Sequence, residues 1–366
     1  MNIPPDFLAE VRRLEAQEAD QYFADGGRYE PAWSLAEFRR SDEVVYPPFG
    51  FVAFPDLLDC ENFVEGDIGQ GDYNGFYWPI GREEQPPLVA KTAHHNFGMI
   101  PIASSLEKYQ ELDAWAKEEY GRADDDHDDD DEEEDLHQEV RPAFAPDALA
   151  ERLAIDPDSP YLQMAVADLA TSEGDFDRAE ALYRAALDRI PEYTATRIGL
   201  ALLLRRNRRG VEALGHMLKA LRSPIPLWGT FWFSDEAVLG ARVNRNDYRR
   251  KFLYWIQRIK PKAAGEHVDD PLYQARDRLT FASGVKETDD YKIFDELIDA
   301  YIARGDAVEA VGLTMVYNEL MAGETISFRE RNAETETTQR ARLMKSFQAA
   351  GLGPRADWLA SLPDPG

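Results

Sequence analysis

The sequence repeats itself. Ala179, Tyr183 and Ala186 return thirty-four positions later as Ala213, Met217 and Ala220, and Val166-Ala167 returns as Leu200-Ala201. A fixed period of this length marks one supersecondary unit that is copied and stacked. The small residues fall where two helices approach closely, and the large ones fill the space between them. Two copies follow, over residues 160–193 and from 194 to about 227, each read as a helical hairpin. A third hairpin is predicted at 291–304 and 307–321, turning at Gly305-Asp306, where Gly305 and Ala310 keep the spacing of Gly174 and Ala179. Further helices are expected around 235–243, 247–259 and 271–281. Residues 327–362 read as a long helix, a break at Gly351-Leu352-Gly353-Pro354 and a short closing helix. Residues 142–366 are thus expected to form one all-α domain.

Before the repeats lies 124–135, which holds eleven acidic residues and no basic one. Such a run repels itself and has nothing to bury, so 124–141 is expected to be a disordered linker between folded parts. It lacks the glycine and the spaced ligands of a calcium loop, which leaves only weak, non-specific cation binding. Net charge is −28, and the excess sits mainly in the N-terminal third and this run. A field of that sign repels nucleic acid and anionic membrane and speeds encounter with basic partners. It also serves solubility alone.

Residues 1–123 read as a small α+β domain. An amphipathic helix over 5–14 carries Phe7, Leu8, Val11 and Leu14 on one stripe, and a second short helix is expected over 33–40. A buried first strand is expected at 49–54, stopped by Pro55. Strand-like runs follow at Asn62-Phe63-Val64, Gly75-Phe76-Tyr77-Trp78, Pro87-Leu88-Val89-Ala90 and Met99-Ile100-Pro101-Ile102-Ala103, with a tight turn at 67–75. Ser104 and Glu107 form a capping-box pair, and Leu106, Tyr109, Leu112 and Trp115 then mark one helical face.

This order of parts resembles the SUKH superfamily (the SMI/KNR-type domain) over about 52–120. The residues that carry it are Ile68-Gly69-Gln70-Gly71-Asp72-Tyr73, the aromatic strand, Pro87-Leu88-Val89, and Ile102-Ala103-Ser104-Ser105-Leu106-Glu107. The Leu-Pro and Asn-Gly-Gly signature that the family carries near its start is absent. The helical half resembles the tetratricopeptide family, with Gln163 where that family usually has Trp. Together the resemblances imply an α+β N-terminal domain followed by an all-α tetratricopeptide-like helical solenoid. The first implies an immunity protein that binds and neutralises a basic toxin domain, many such toxins being nucleases. Its yeast relatives imply the alternative, a cytoplasmic adaptor that recruits client proteins in cell-wall synthesis or signalling.

Candidate chemistry is sparse. His94-His95 lacks the further spaced ligands of a metal site and fits a turn between strands. Gly69-Gln70-Gly71 lacks the third glycine and following helix of a phosphate loop. Neither a Gly-x-Ser-x-Gly elbow nor a Walker-type loop occurs, so no enzyme, cofactor or metal is expected. Asp67, Asp72, Tyr73, Tyr77 and Trp78 form either a partner-binding face or ordinary turn and core residues. Arg205, Arg206, Arg208 and Arg209 read as a solvated basic turn without interleaved aromatics. The aromatic stretch 228–233 packs between repeats or forms an exposed patch. The single cysteine, Cys60, excludes an internal disulfide and fits a reducing compartment. No run reaches the length of a membrane span, and residues 1–6 lack a signal-peptide pattern, so a cytoplasmic location is expected.

Overall fold

A computed structural model describes residues 51–53, 74–93, 98–120, 146–223, 247–281, 290–322 and 336–361. The elements expected at 5–14, 33–40, 62–64 and 235–243 lie outside the described residues. So do Cys60, His94-His95, the acidic run and the aromatic stretch 228–233. The chain divides into two compact units, Met1–Val166 and Ala167–Gly366.

In the first unit, short apolar runs separated by turn residues pair as an antiparallel sheet. Its strands are β1 (Phe51–Ala53), β2 (Asn74–Tyr77), β3 (Leu88–Ala93) and β4 (Gly98–Ala103), in spatial order β1-β2-β3-β4. Phe51 faces Tyr77 and Phe76 faces Val89. Pro101 cannot donate to a ladder and so belongs on an edge strand or at an irregularity; it has both, because β4 is last in the order and its register with β3 shifts between Val89 and Lys91. All four residues of β2 are buried, so this strand is covered on both faces.

Helix α1 (Leu106–Tyr120) follows β4, with Leu112 buried. Its cap differs from the expected Ser104–Glu107 box. Ser105 Oγ accepts from Lys108 N at 3.2 Å, while Ser104 is diverted to a distant carboxylate. Ser104 donates from its backbone N to Asp156 Oδ2 at 2.7 Å and from Oγ to Asp156 Oδ1 at 2.6 Å. Asp156 follows α2 (Pro146–Ile155) and is fully buried. Three residues on, Ser159 Oγ donates to the Ile102 carbonyl at 2.9 Å. A buried carboxylate with two donors is strongly held, and this pair of anchors ties β4 to the α2 turn. The expected start of the helical part at 142 therefore lies inside the first unit, and the division falls within α3 (Pro160–Glu173).

The second unit is helical. It continues through α4 (Phe176–Arg189), α5 (Thr194–Arg206), α6 (Gly210–Arg222), α7 (Asp247–Arg258) and the short α8 (Pro261–Ala264) with its 3-10 turn. After α9 (Pro271–Ala275) come α10 (Asp290–Arg304), α11 (Ala307–Ala322), α12 (Glu336–Ala349) and α13 (Gly353–Ser361). The same turn recurs. Asp175 N reaches the Ala170 carbonyl at 2.9 Å, Arg209 N reaches Leu204, Asp306 N reaches Tyr301 and Leu352 N reaches Phe347, each also at 2.9 Å. These are six-to-one bonds of a Schellman motif, which needs a left-handed residue just past the helix. Gly174 (φ +86), Gly305 (φ +83) and Gly351 (φ +70) supply it, but at the α5–α6 turn the residue is Arg208 (φ 61).

A non-glycine residue in that conformation costs about 1 kcal/mol. Arg208→Gly is therefore expected to raise the unfolding free energy by roughly 0.5–1 kcal/mol, read by denaturant titration. A loss of stability would show that the Arg208 side chain is needed at that turn.

Candidate protein-binding surface

Of the residues singled out in the N-terminal sequence, Asp67, Asp72 and Tyr73 lie outside the described residues. Tyr77 and Trp78 are 1% and 0% exposed. They fill the core around β2, where Trp78 stands 6.1 Å from the Phe76 ring, and they present no face to a partner. Of the two readings for Tyr77 and Trp78, a partner-binding face or core, the fold gives core, because β2 is covered on both sides.

The second unit is organised by Arg222, in the last turn of α6 and 5% exposed. Its Nε donates to Glu309 Oε2 on α11 at 2.9 Å. Its Nη1 donates to Asp270 Oδ2 at 2.9 Å and to Tyr301 Oη on α10 at 2.7 Å. Tyr301 Oη donates to Asp270 Oδ1 at 2.8 Å, and that same oxygen caps α9 by accepting from Leu272 N and Tyr273 N. Burial alone pushes the Glu309 carboxyl up, but the Arg222 charge outweighs it and leaves it below the usual range. Burial likewise raises the Tyr301 hydroxyl, so it stays protonated and donates. At Gly312 a Cβ would stand 2.5 Å from the Arg222 carbonyl oxygen, so the close approach of α6 and α11 requires glycine. Arg222→Met is expected to cost roughly 3 kcal/mol, because it strands two carboxylates in a partly buried site. Thermal unfolding checks this; an unchanged transition would mean that water takes the place of the guanidinium.

A second buried cluster joins α3 to α4. The Tyr183 hydroxyl donates to Asp168 Oδ1 in a short hydrogen bond, and Asp168 Oδ2 has no partner. A Cβ on Gly199 would sit 2.7 Å from the Tyr183 ring, so α5 also leaves room for this tyrosine only as glycine. Burial pushes the Asp168 carboxyl up to about 7, against the lowering effect of the Tyr183 hydrogen bond. Nearby, Arg197 Nη1 lies 3.3 Å from His216 Nδ1. Burial first, and then the Arg197 charge, push His216 down to about 3, so it is neutral and accepts from the guanidinium.

The Asp168 shift has a testable sign. A carboxyl raised in the folded state holds a proton that the unfolded chain releases. Its stabilising contribution is complete below about pH 4 and is lost as pH rises to about 7. The stability of wild type relative to Asp168→Asn should therefore fall across that interval, by up to roughly 4 kcal/mol. A difference that stays constant from pH 4 to pH 7 in paired denaturation curves would refute it.

Part of the surface charge in the described helices is neutralised by ion pairs. Arg184 Nη2 pairs with Glu180 at 2.7 Å and with Glu212 at 3.3 Å, and Arg209 Nη2 pairs with Glu212 at 2.5 Å and bonds Glu180 as well. Arg278 pairs with Glu296 at 2.7 Å, Arg342 with Asp295 at 3.1 Å and Lys345 with Asp299 at 2.6 Å. The large apolar side chains left exposed among the described residues are Val211, Tyr254 and Val308. No group of three or more His, Cys, Asp or Glu that could hold a metal occurs among the described residues. No described helix is long and apolar enough to cross a membrane. The Arg222 and Asp168 clusters were missed by sequence reasoning. Their one local signal is a polar residue within an otherwise apolar helical run.

Compared with known proteins, residues 36–130 match the family model of the YfbP N-terminal domain, and residues 281–348 match that of the YfbP C-terminal domain. The chain is 27% identical over 290 residues to a protein of Escherichia coli (strain K12) described as uncharacterized protein YfbP, across 78% of this chain and 83% of that one. The first match covers the sheet and α1; the second covers α10, α11 and most of α12. No SUKH model matches, so the resemblance to that superfamily and the repeat family attached to it is corrected: the similarity is to the YfbP domains. The features that carried it were a glycine turn, an aromatic strand and a serine-opened helix. Such features are common to short antiparallel meanders closed by a helix and do not single out one family.

Proposed function

We propose that this chain is a non-enzymatic scaffold that binds protein partners through its helical unit, with the hairpins stacked as a short solenoid. The observation that carries the reading is the recurring hairpin. Ala179 and Ala213, and Ala186 and Ala220, occupy equivalent close-approach positions and are each no more than 1% exposed. The left-handed turn residue recurs with them at Gly174, Arg208 and Gly305. Stacked hairpins offer extended, rigid faces, and their usual use is to hold a protein segment. A cytoplasmic adaptor role goes with this reading and suits a chain with one cysteine. The toxin-neutralising reading, the first that the sequence suggests, rested on the SUKH resemblance, and the adaptor, its alternative, is the reading kept here.

Chemical cross-linking of the full chain in its own cells, followed by mass spectrometry, tests the scaffold. A stoichiometric protein partner joined to the exposed helical lysines Lys219, Lys251, Lys260 or Lys262 is expected. Cross-links confined to Lys91 and Lys108 of the first unit, or no protein partner at all, would overturn it.

A further inference from the structure

Helix α7 departs from the charge pattern of the rest of the chain. Residues 248–265 hold six basic residues and no acidic one, within a chain of net charge −28. Tyr248, Phe252, Leu253 and Ile256 are buried and define the inward face. Arg250, Tyr254 and Arg258 follow at steps of four on the outward face, a line of about 12 Å. Lys251 lies beside this line, and Lys260 and Lys262 extend it past the helix end. All five cations are exposed, and Tyr254 is 51% exposed.

Two of these cations, and Arg205 from α5, lie against rings. The Arg258 guanidinium lies 3.1 Å over the Tyr254 ring and donates from Nη1 to the Tyr254 carbonyl at 2.8 Å. The Arg205 guanidinium, from the end of α5, lies 3.7 Å over Trp255, and Lys251 Nζ is 5.3 Å from that ring. The basic turn that lacks aromatics in the sequence thus meets them across the fold. Among the described residues, Arg205, Arg250, Lys251, Arg258, Lys260 and Lys262 form no ion pair. Of the other surface cations of this unit, Arg184, Arg209, Arg278 and Arg304 do, whereas Arg206 and Arg208 beside Arg205 do not. Like charges four apart on a helix repel, so this concentration of positive charge is unfavourable for folding alone.

We propose that this face of α7, completed by Arg205, Lys260 and Lys262, docks a short carboxylate-rich segment of a protein partner. The proposal names the partner chemistry for the scaffold reading and rests on it. Stacked guanidiniums are pre-organised forks for carboxylates and lose little freedom on binding. Charge complementarity selects an anion, and the size of the face selects a short one: about 12 Å spans roughly four extended residues. A long polyanion is disfavoured, because beyond this face it meets a chain of net charge −28. Nucleobases also find the Tyr254 and Trp255 rings already engaged by cations.

The test is fluorescence anisotropy of a labelled octaglutamate peptide titrated with the full chain at about 50 mM salt. The comparison is with the triple variants Arg250→Gln/Lys251→Gln/Arg258→Gln and Arg250→Glu/Lys251→Glu/Arg258→Glu, whose folding is checked by circular dichroism. Binding to wild type that weakens at least tenfold in the neutral variant, and again in the reversed one, supports the site, as does a loss of about tenfold on raising salt to about 200 mM. Equal affinity in wild type and the neutral variant overturns it. A dodecathymidine oligonucleotide or anionic vesicles that bind more tightly than the peptide overturn the choice of occupant. In the cross-linking experiment, a partner retained by the neutral variant removes this face while leaving the scaffold. No partner on wild-type helices, with peptide binding intact, removes the scaffold and leaves the face.

Discussion

A single buried cation sets the geometry of the second unit. Arg222 ends α6, where a positive charge also favours the helix dipole, and from there it reaches the cap of α9, the hydroxyl of Tyr301 on α10 and the carboxylate of Glu309 on α11. Burying that guanidinium is costly unless every partner is in position, so the cluster forms as a set. Its yield is register more than stability. Asp270 is committed both to Arg222 and to the first amides of α9, which fixes the start of α9 against the end of α6. Gly312 tightens the same joint by letting α11 meet the Arg222 carbonyl.

Around this joint the unit is assembled from one local device used repeatedly. Each Schellman turn reverses the chain in a few residues, and the alanines at close-approach positions let successive helices pack without a gap. Where the turn residue is Arg208 instead of glycine, the fold carries a strained position beside α5, whose neighbouring Arg205 reaches over Trp255. The first unit uses a different device. Asp156 accepts both donors of Ser104, so a strand end and a helix turn distant in sequence are fixed by one buried carboxylate.

The proposed function rests on what this frame leaves unpaired. Local pairing neutralises part of the helical surface, as in the Arg184, Arg209 and Glu212 cluster. The outward face of α7 gathers unpaired cations along one line, with rings beneath two of them.

Much of this was legible in the chain. The hairpins over 160–223, the pair α10–α11 and the strands at 74–77, 88–93 and 98–103 all fall where local period and turn residues put them, because helices and strands are specified by patterns a few residues long. The similarity to the YfbP domains was not legible, since glycine turns and aromatic strands recur across unrelated folds. The site residues divided the same way. Tyr77 and Trp78 read as either a partner-binding face or core, and only the fold decides for core, because burial of the second face depends on what packs there; β2 ends at Tyr77, so Trp78 lies just past the strand. Ser104 read as a helix cap and became an anchor for Asp156, fifty-two positions away. The Arg205 turn read as bare until the fold brought Trp255 beneath it. Sequence by itself determined the elements, their turns and the ion pairs three or four apart on one helix; tertiary structure decided the buried pairings, since Arg222 with Asp270 and Glu309, and Ser104 with Asp156, join residues that only chain closure brings within hydrogen-bond reach.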